Sequence, residues 1–266
     1  MPTADPRPIP AAASAGLASE ERWRNHRHSP PAVPGRKPFA ELVVVGILVA
    51  WNLIANLAPQ GSSLPVNLAA VTLVLLVARR AGLDWDLLGL ARSGISKGAR
   101  IGAVIATAVA AAVVLIAVIP ASREYLADDR FIGVGVGEML YETLLRIPIG
   151  TVLGEEIAFR GVVLGMLLLW VSPFRAVVIS SALFGLWHIW PAIEALETNP
   201  AADLASGAFA TVLEVSGQVV VTAAAGVGFA RLRIRAGGLV GPVLAHWALN
   251  GTAYLAGWLV VENAWA

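Results

Sequence analysis

Long apolar runs alternate with short polar breaks along most of this chain. From Phe39 onward the runs fall at about 39–58, 64–78, 101–120, 132–153, 161–171, 174–191, 207–230 and 238–261. A bilayer core of about 30 Å is crossed by about 20 apolar helical residues, so most of these runs read as membrane-spanning helices. The run at 161–171 is too short, reaching only about 16 Å as a helix. It reads as re-entrant, interfacial or the second half of a bent span. The expected fold is therefore all-α, a polytopic integral membrane protein of seven to eight transmembrane helices.

Before the first run, residues 1–38 hold eight of the sixteen prolines and six basic side chains, among them Arg22, Arg24, Arg27, Arg36 and Lys37. A secretory signal would place its apolar segment within this region, and none is there. The expected organisation is a disordered, Pro/Arg-rich cytoplasmic tail over 1–38 and a transmembrane domain over 39–266. Basic residues sort between the runs. Arg79, Arg80, Arg92, Lys97 and Arg100 separate the second run from the third, and Arg231, Arg233 and Arg235 precede the last. The segment 192–206 carries Glu194, Glu197 and Asp203 with no Lys or Arg. The positive-inside rule then predicts a multi-pass protein of the cell membrane with a cytoplasmic N-terminus.

Composition narrows the picture further. Of 266 residues, 57% are hydrophobic and 14% charged, with mean hydropathy +0.73 and 19 basic against 18 acidic side chains. This excludes a soluble globule, a disordered chain and a nucleic-acid binder. There is no cysteine. Disulfides and a thiol nucleophile are thereby removed, and any metal ligand must be nitrogen or oxygen.

Polar side chains inside apolar helices are costly, about 2.5–3.5 kcal/mol for a central charge, and so mark sites. Residues 137–161 contain Glu138, Glu142, Arg146, Glu155, Glu156 and Arg160. Glu142 with Arg146, and Glu156 with Arg160, are four apart and can pair along one helix face; a purely structural role is open to both pairs. Glu155 has no basic residue at helical spacing, so its partner must come from another helix. A desolvated carboxylate of this kind suits general-base work. His188 and His246 both fall in apolar runs. His246 and Asn250 lie one turn apart, as do Phe184 and His188, so three helices can converge Glu155, His188, His246 and Asn250. That set suits zinc or another divalent metal held by Glu155, His188 and His246, with a position for water. It equally suits a metal-free site in which Glu and His activate water while His and Asn stabilise an oxyanion. Gly150, Gly154, Gly161 and Gly165 give two GxxxG spacings that let a neighbouring backbone approach.

Glu155-Glu156-Ile157-Ala158-Phe159-Arg160 reads EExxxR, Phe184 to His188 reads FxxxH, and His246 to Asn250 reads HxxxN. In order and spacing these motifs, within 138–261, resemble the CPBP family, which includes type II CAAX prenyl endopeptidases and bacterial relatives associated with bacteriocin processing or immunity. The resemblance implies an intramembrane endopeptidase of glutamate- or metal-dependent type acting on a peptide or protein substrate, lipidated in the best-known members. It implies Glu155 as the water-activating base with His188 as partner, His246 and Asn250 as the oxyanion-binding or metal-completing group, and Glu156 and Arg160 as supports.

Two other readings compete: a proton- or ion-coupled transporter, because buried Glu, Arg and His also line ion paths, and a non-catalytic immunity or scaffold protein. No duplicated halves support the first, and a scaffold has no physical need to hold these polar groups in lipid. Gly94-Ile95-Ser96-Lys97-Gly98 fits GxSxG but lies in a basic loop without the strand-to-helix turn a serine nucleophile needs.

Overall fold

The apolar runs become helices. The structure, a computed structural model, describes residues 39–57, 63–198 and 207–265. The tail expected to be disordered, 1–38, lies outside the described residues, as do residues 199–206 of the acidic segment 192–206. The principal helices are α1 (Phe39–Leu57), α2 (Ser63–Arg80), α3 (Ile95–Ala117), α4 (136–167), α5 (Pro173–Trp187), α6 (Ile189–Thr198), α7 (Ala208–Ala236) and α8 (Val240–Trp265). No strand occurs among the described residues. Large apolar side chains point outward along several helices, with Leu42 68%, Val104 69% and Val220 66% exposed. Such belts belong against lipid rather than water.

Four helical segments are long and apolar enough to cross a membrane: Phe39–Leu57, Arg92–Ala117, Pro173–Thr198 and Ala208–Ala236. The protein is thus membrane-embedded and multi-pass, while four rather than seven or eight segments meet the criterion of length and composition. The segments short of it include α4 and α8, which carry Glu155, Glu156, Arg160, His246 and Asn250. The side chains that build a polar site are the ones that lower a helix's hydropathy.

Two boundaries move in ways that matter. The short run at 161–171 is the second half of α4, continuous with the run at 132–153. The run starting near 174 carries on through α6, with only a break at His188 (φ −90°, ψ 7°). His188 therefore sits inside a 26-residue helical segment instead of near its far end.

Helix α4 is wound unusually. Glu142–Val152 and Glu156–Val163 are π-helical, and the turn Leu153–Glu155 between them is α-helical. Pro148 lies in the first wide stretch. Its ring would clash with the carbonyl four residues back and it has no N–H to donate; i→i+5 bonding accommodates both defects, as in the bond from Leu153 N–H to the Pro148 carbonyl. Asn67 of α2 caps the Gly150 carbonyl at 2.6 Å.

Small residues bring the helices together. Helix α8 lies along α3; a Cβ on Gly102 would stand 2.7 Å from Gly241 Cα, and one on Gly94 would stand 2.5 Å from the Gly237 carbonyl. The GxSxG match is thus part of a helix-packing notch. Gly161 and Gly165 accept a loop, for a Cβ on Gly165 would meet the Leu87 carbonyl at 2.8 Å and one on Gly161 the Leu88 carbonyl at 3.1 Å, whereas Gly150 and Gly154 face Leu64 of α2 and Trp51 of α1. That loop is tied down by Arg233, which donates to the Leu87 carbonyl, and by Leu239 N–H, which donates to the Gly89 carbonyl at 2.9 Å. Arg233 is only 2% exposed and lies within α7. It is a structural lock as well as a basic residue near the membrane edge.

Candidate active site

Glu155 is the last residue of the α-helical turn of α4, and Glu156 is the first residue of the wide stretch that follows. Both are buried, at 7% and 0% exposure. Successive helix positions point in different directions, so the two carboxylates meet different partners.

Glu156 faces Arg160, whose Nη1 lies 3.1 Å from Oε1. The pair expected from the i,i+4 spacing is present, as is that of Glu142 with Arg146. The Arg160 guanidinium lies 3.8 Å from the centre of the Phe184 ring and 5.1 Å from that of Phe229, an arrangement in which ring faces stabilise the cation. Glu156 Oε1 also accepts from His246 Nδ1 at 2.8 Å.

Because a carboxylate oxygen only accepts, His246 Nδ1 carries the hydrogen in that bond. Its Nε2 lies 3.2 Å from Asn250 Nδ2 and 3.8 Å from Glu155 Oε2. The His246 ring stacks on Phe229, centroids 4.8 Å apart at 20°. The other oxygen of Glu155, Oε1, accepts from Trp187 Nε1 at 3.2 Å. Oε2 is buried and has no hydrogen-bond partner among the described residues. The partners of Glu155 do come from other helices, α5 and α8.

His188 stands apart. Its Nδ1 donates to the Phe184 carbonyl at 2.8 Å, and the Phe184 ring lies 4.6 Å from the His188 ring and 5.9 Å from that of His246. Among the described residues His188 makes no direct hydrogen bond or ion pair with Glu155 or His246. The structure thus gathers Glu155, Glu156, Arg160, His246 and Asn250 into one connected set, with His188 one aromatic ring away.

The expected metal ligands are not drawn into one cluster. A bound zinc ion needs three or four converging donors, and among the described residues no group of three or more His, Asp or Glu side chains is placed to hold a metal. His188 uses Nδ1 on a backbone carbonyl, and His246 has Glu156 on one ring nitrogen and Asn250 on the other.

Several site neighbours carry little signal in sequence. Trp187 was detectable only as the indole beside His188, since a buried Trp N–H needs an acceptor. Phe229 is one apolar residue within an apolar run. Trp51 meets Trp187 edge-on at 5.0 Å and Asn52 Nδ2 donates to the Trp187 carbonyl at 3.0 Å; neither could be assigned to the site before α1 was placed beside it.

A multi-pass helical membrane protein with two adjacent buried acids set against a histidine and an amide defines a class, the membrane-embedded helical proteins with a buried polar centre. Residues 137–252 match the family model described as Type II CAAX prenyl endopeptidase Rce1-like. The matched segment covers under half of the chain and includes all seven motif residues. It is similar to the family that the three motifs resemble, and that family implies a protease. No curated protein and no solved structure matches the chain.

Proposed function

We propose that this protein is an intramembrane endopeptidase of the CAAX-protease type, in which Glu155 activates water for attack on a peptide carbonyl. The observation that carries this reading is the Glu155 carboxylate: one oxygen is bonded to Trp187, and the other, buried and without a hydrogen-bond partner among the described residues, faces His246 Nε2 at 3.8 Å. That distance is too long for a direct hydrogen bond and leaves Oε2 available to accept from a water.

Glu155 takes a proton from this water as its oxygen attacks the carbonyl carbon. The negative charge that develops on the carbonyl oxygen needs a fixed donor. Asn250 supplies one: its Nδ2 has two hydrogens, of which only one is used on His246. Glu156, its charge compensated by Arg160, accepts from His246 Nδ1 and so fixes the tautomer that presents Nε2 to Asn250. Glu155 then passes its proton to the leaving amine as the C–N bond breaks. His188, with Nδ1 committed to the Phe184 carbonyl, keeps Nε2 as an acceptor for water or for an N–H of the substrate.

The substrate is a peptide or protein segment entering from the membrane, and the lipidated C-termini cleaved by CAAX proteases are the first class to test. Glu155→Gln keeps the shape of the side chain and removes the base. Assayed in proteoliposomes on a prenylated fluorogenic peptide, it should lower the rate by about 10²–10⁴-fold while the melting temperature stays close to that of the parent. Cleavage at the parent rate by purified Glu155→Gln would remove the proposed base. Solute flux through the liposomes without cleavage would favour a carrier instead.

A further inference from the structure

We infer that Trp187 is a positioning residue that assigns the two oxygens of Glu155 to different tasks, and that α1 holds it in place from outside the family-matched segment. The inference rests on the reading of Glu155 as the base.

A carboxylate has two chemically equivalent oxygens and, on a free side chain, rotates to exchange them. Here they are not equivalent. Trp187 Nε1 donates to Oε1 at 3.2 Å, and Oε2 is left facing His246 Nε2. The indole is a reliable anchor because its ring cannot turn away easily: it meets Trp51 edge-on at 5.0 Å and Phe159 edge-on at 5.5 Å. Its backbone is fixed too. The Trp187 carbonyl lies in the last turn of α5, where carbonyls lack intrahelical partners, and Asn52 of α1 donates to it at 3.0 Å.

Asn52 and Trp51 belong to α1, Phe39–Leu57, whereas the family match spans 137–252. The sequence of dependence runs from α1 to Trp187, from Trp187 to Oε1, and thence to the orientation of Oε2. Losing the indole N–H leaves the carboxylate free to swing, so a smaller fraction of bound substrate has a correctly placed base. Binding of the peptide itself does not involve this bond. The effect therefore falls on kcat and spares KM, unlike a general loosening of the fold.

The clean test replaces Trp187 with β-(3-benzothienyl)alanine, which keeps the bicyclic shape and substitutes sulfur for the N–H. Hydrogen bonds to charged groups are worth enough to predict a fall in kcat of roughly 10-fold, with KM within about twofold and thermal unfolding unchanged. Trp187→Phe should lower kcat at least as far. Asn52→Leu should also lower kcat, and should add little when combined with the benzothienyl variant because both act through one bond. A benzothienyl variant with the parent kcat would overturn the inference, as would one in which KM rises and kcat holds. If instead Glu155→Gln cleaves at the parent rate, it is the assignment of the base that has failed, and the two failures are told apart by that control.

Discussion

At the scale of single residues, the site is organised by an unequal division of one cation between two acids. Arg160 and Glu156 are almost completely buried, at 1% and 0% exposure, and Glu156 is shared between the guanidinium and His246. Removing one partner of a buried pair leaves an uncompensated charge, at a cost of about 3–5 kcal/mol. Glu156→Gln should therefore lower the thermal unfolding temperature clearly in detergent. The double variant Glu156→Gln with Arg160→Met should recover most of that stability without recovering cleavage, because His246 then lacks the carboxylate that fixes its tautomer. Recovery of both would reduce Glu156 to a packing role. The two ion pairs on α4 were legible in the spacing of their residues, since i,i+4 geometry is local. The bond from Glu156 to His246 joins residues ninety positions apart, and no local rule assigns His246 to Glu156 in preference to Glu155.

At the scale of elements, the decisive feature is how closely the helices approach. Gly102 has room for no side chain, with Gly241 Cα 2.7 Å from where a Cβ would stand, while Gly46 on α1 has no neighbour within 4 Å. Gly102→Ala should push α3 from α8 and cost about 1–3 kcal/mol, whereas Gly46→Ala should leave unfolding within about 0.5 kcal/mol of the parent. Equal effects of the two in detergent melts would show that the α3–α8 seam is looser than its geometry. The apolar runs announced the helices well, because a membrane helix needs little beyond length and hydropathy. They did not announce the winding of α4. Its first π-helical stretch holds Pro148 and has its Gly150 carbonyl capped by Asn67 of α2, and the second of these is a tertiary contact.

At the scale of the whole molecule, α3 separates two differently charged surfaces. Its 23 residues extend about 35 Å, enough to cross a bilayer. Asp86 precedes it and Asp129 follows it, both exposed. Because the chain has no cysteine, Asp86→Cys and Asp129→Cys can each be labelled with an impermeant maleimide, and they should react from opposite sides of the membrane, Asp86→Cys from the cytoplasm. Labelling from one side would mean that α3 does not cross. The Asp129 end also carries a pH-sensitive cap. Burial pushes the Asp128 carboxyl up, but it accepts bonds from Arg130 Nε, Nη2 and backbone N–H; these, with the Arg130 charge and a bond from Thr198, hold it below the ordinary aspartate value. A carboxyl lowered in the folded state adds stability above its unfolded value and loses it as pH falls through the lowered one. The difference in melting temperature between the parent and Asp128→Asn should accordingly be present at neutral pH and vanish in strong acid; a difference independent of pH would exclude the charge as its cause. The sequence by itself determined an all-helical membrane chain and the identities of the seven motif residues, because hydropathy and short spacings act locally and need no knowledge of neighbours. Only the tertiary structure decided that Trp187 takes one oxygen of Glu155 and that Glu156 takes His246, that His188 turns toward a backbone carbonyl, and that α1 supports the centre. Those outcomes depend on which helix faces which, and that is set by packing between residues far apart in the chain.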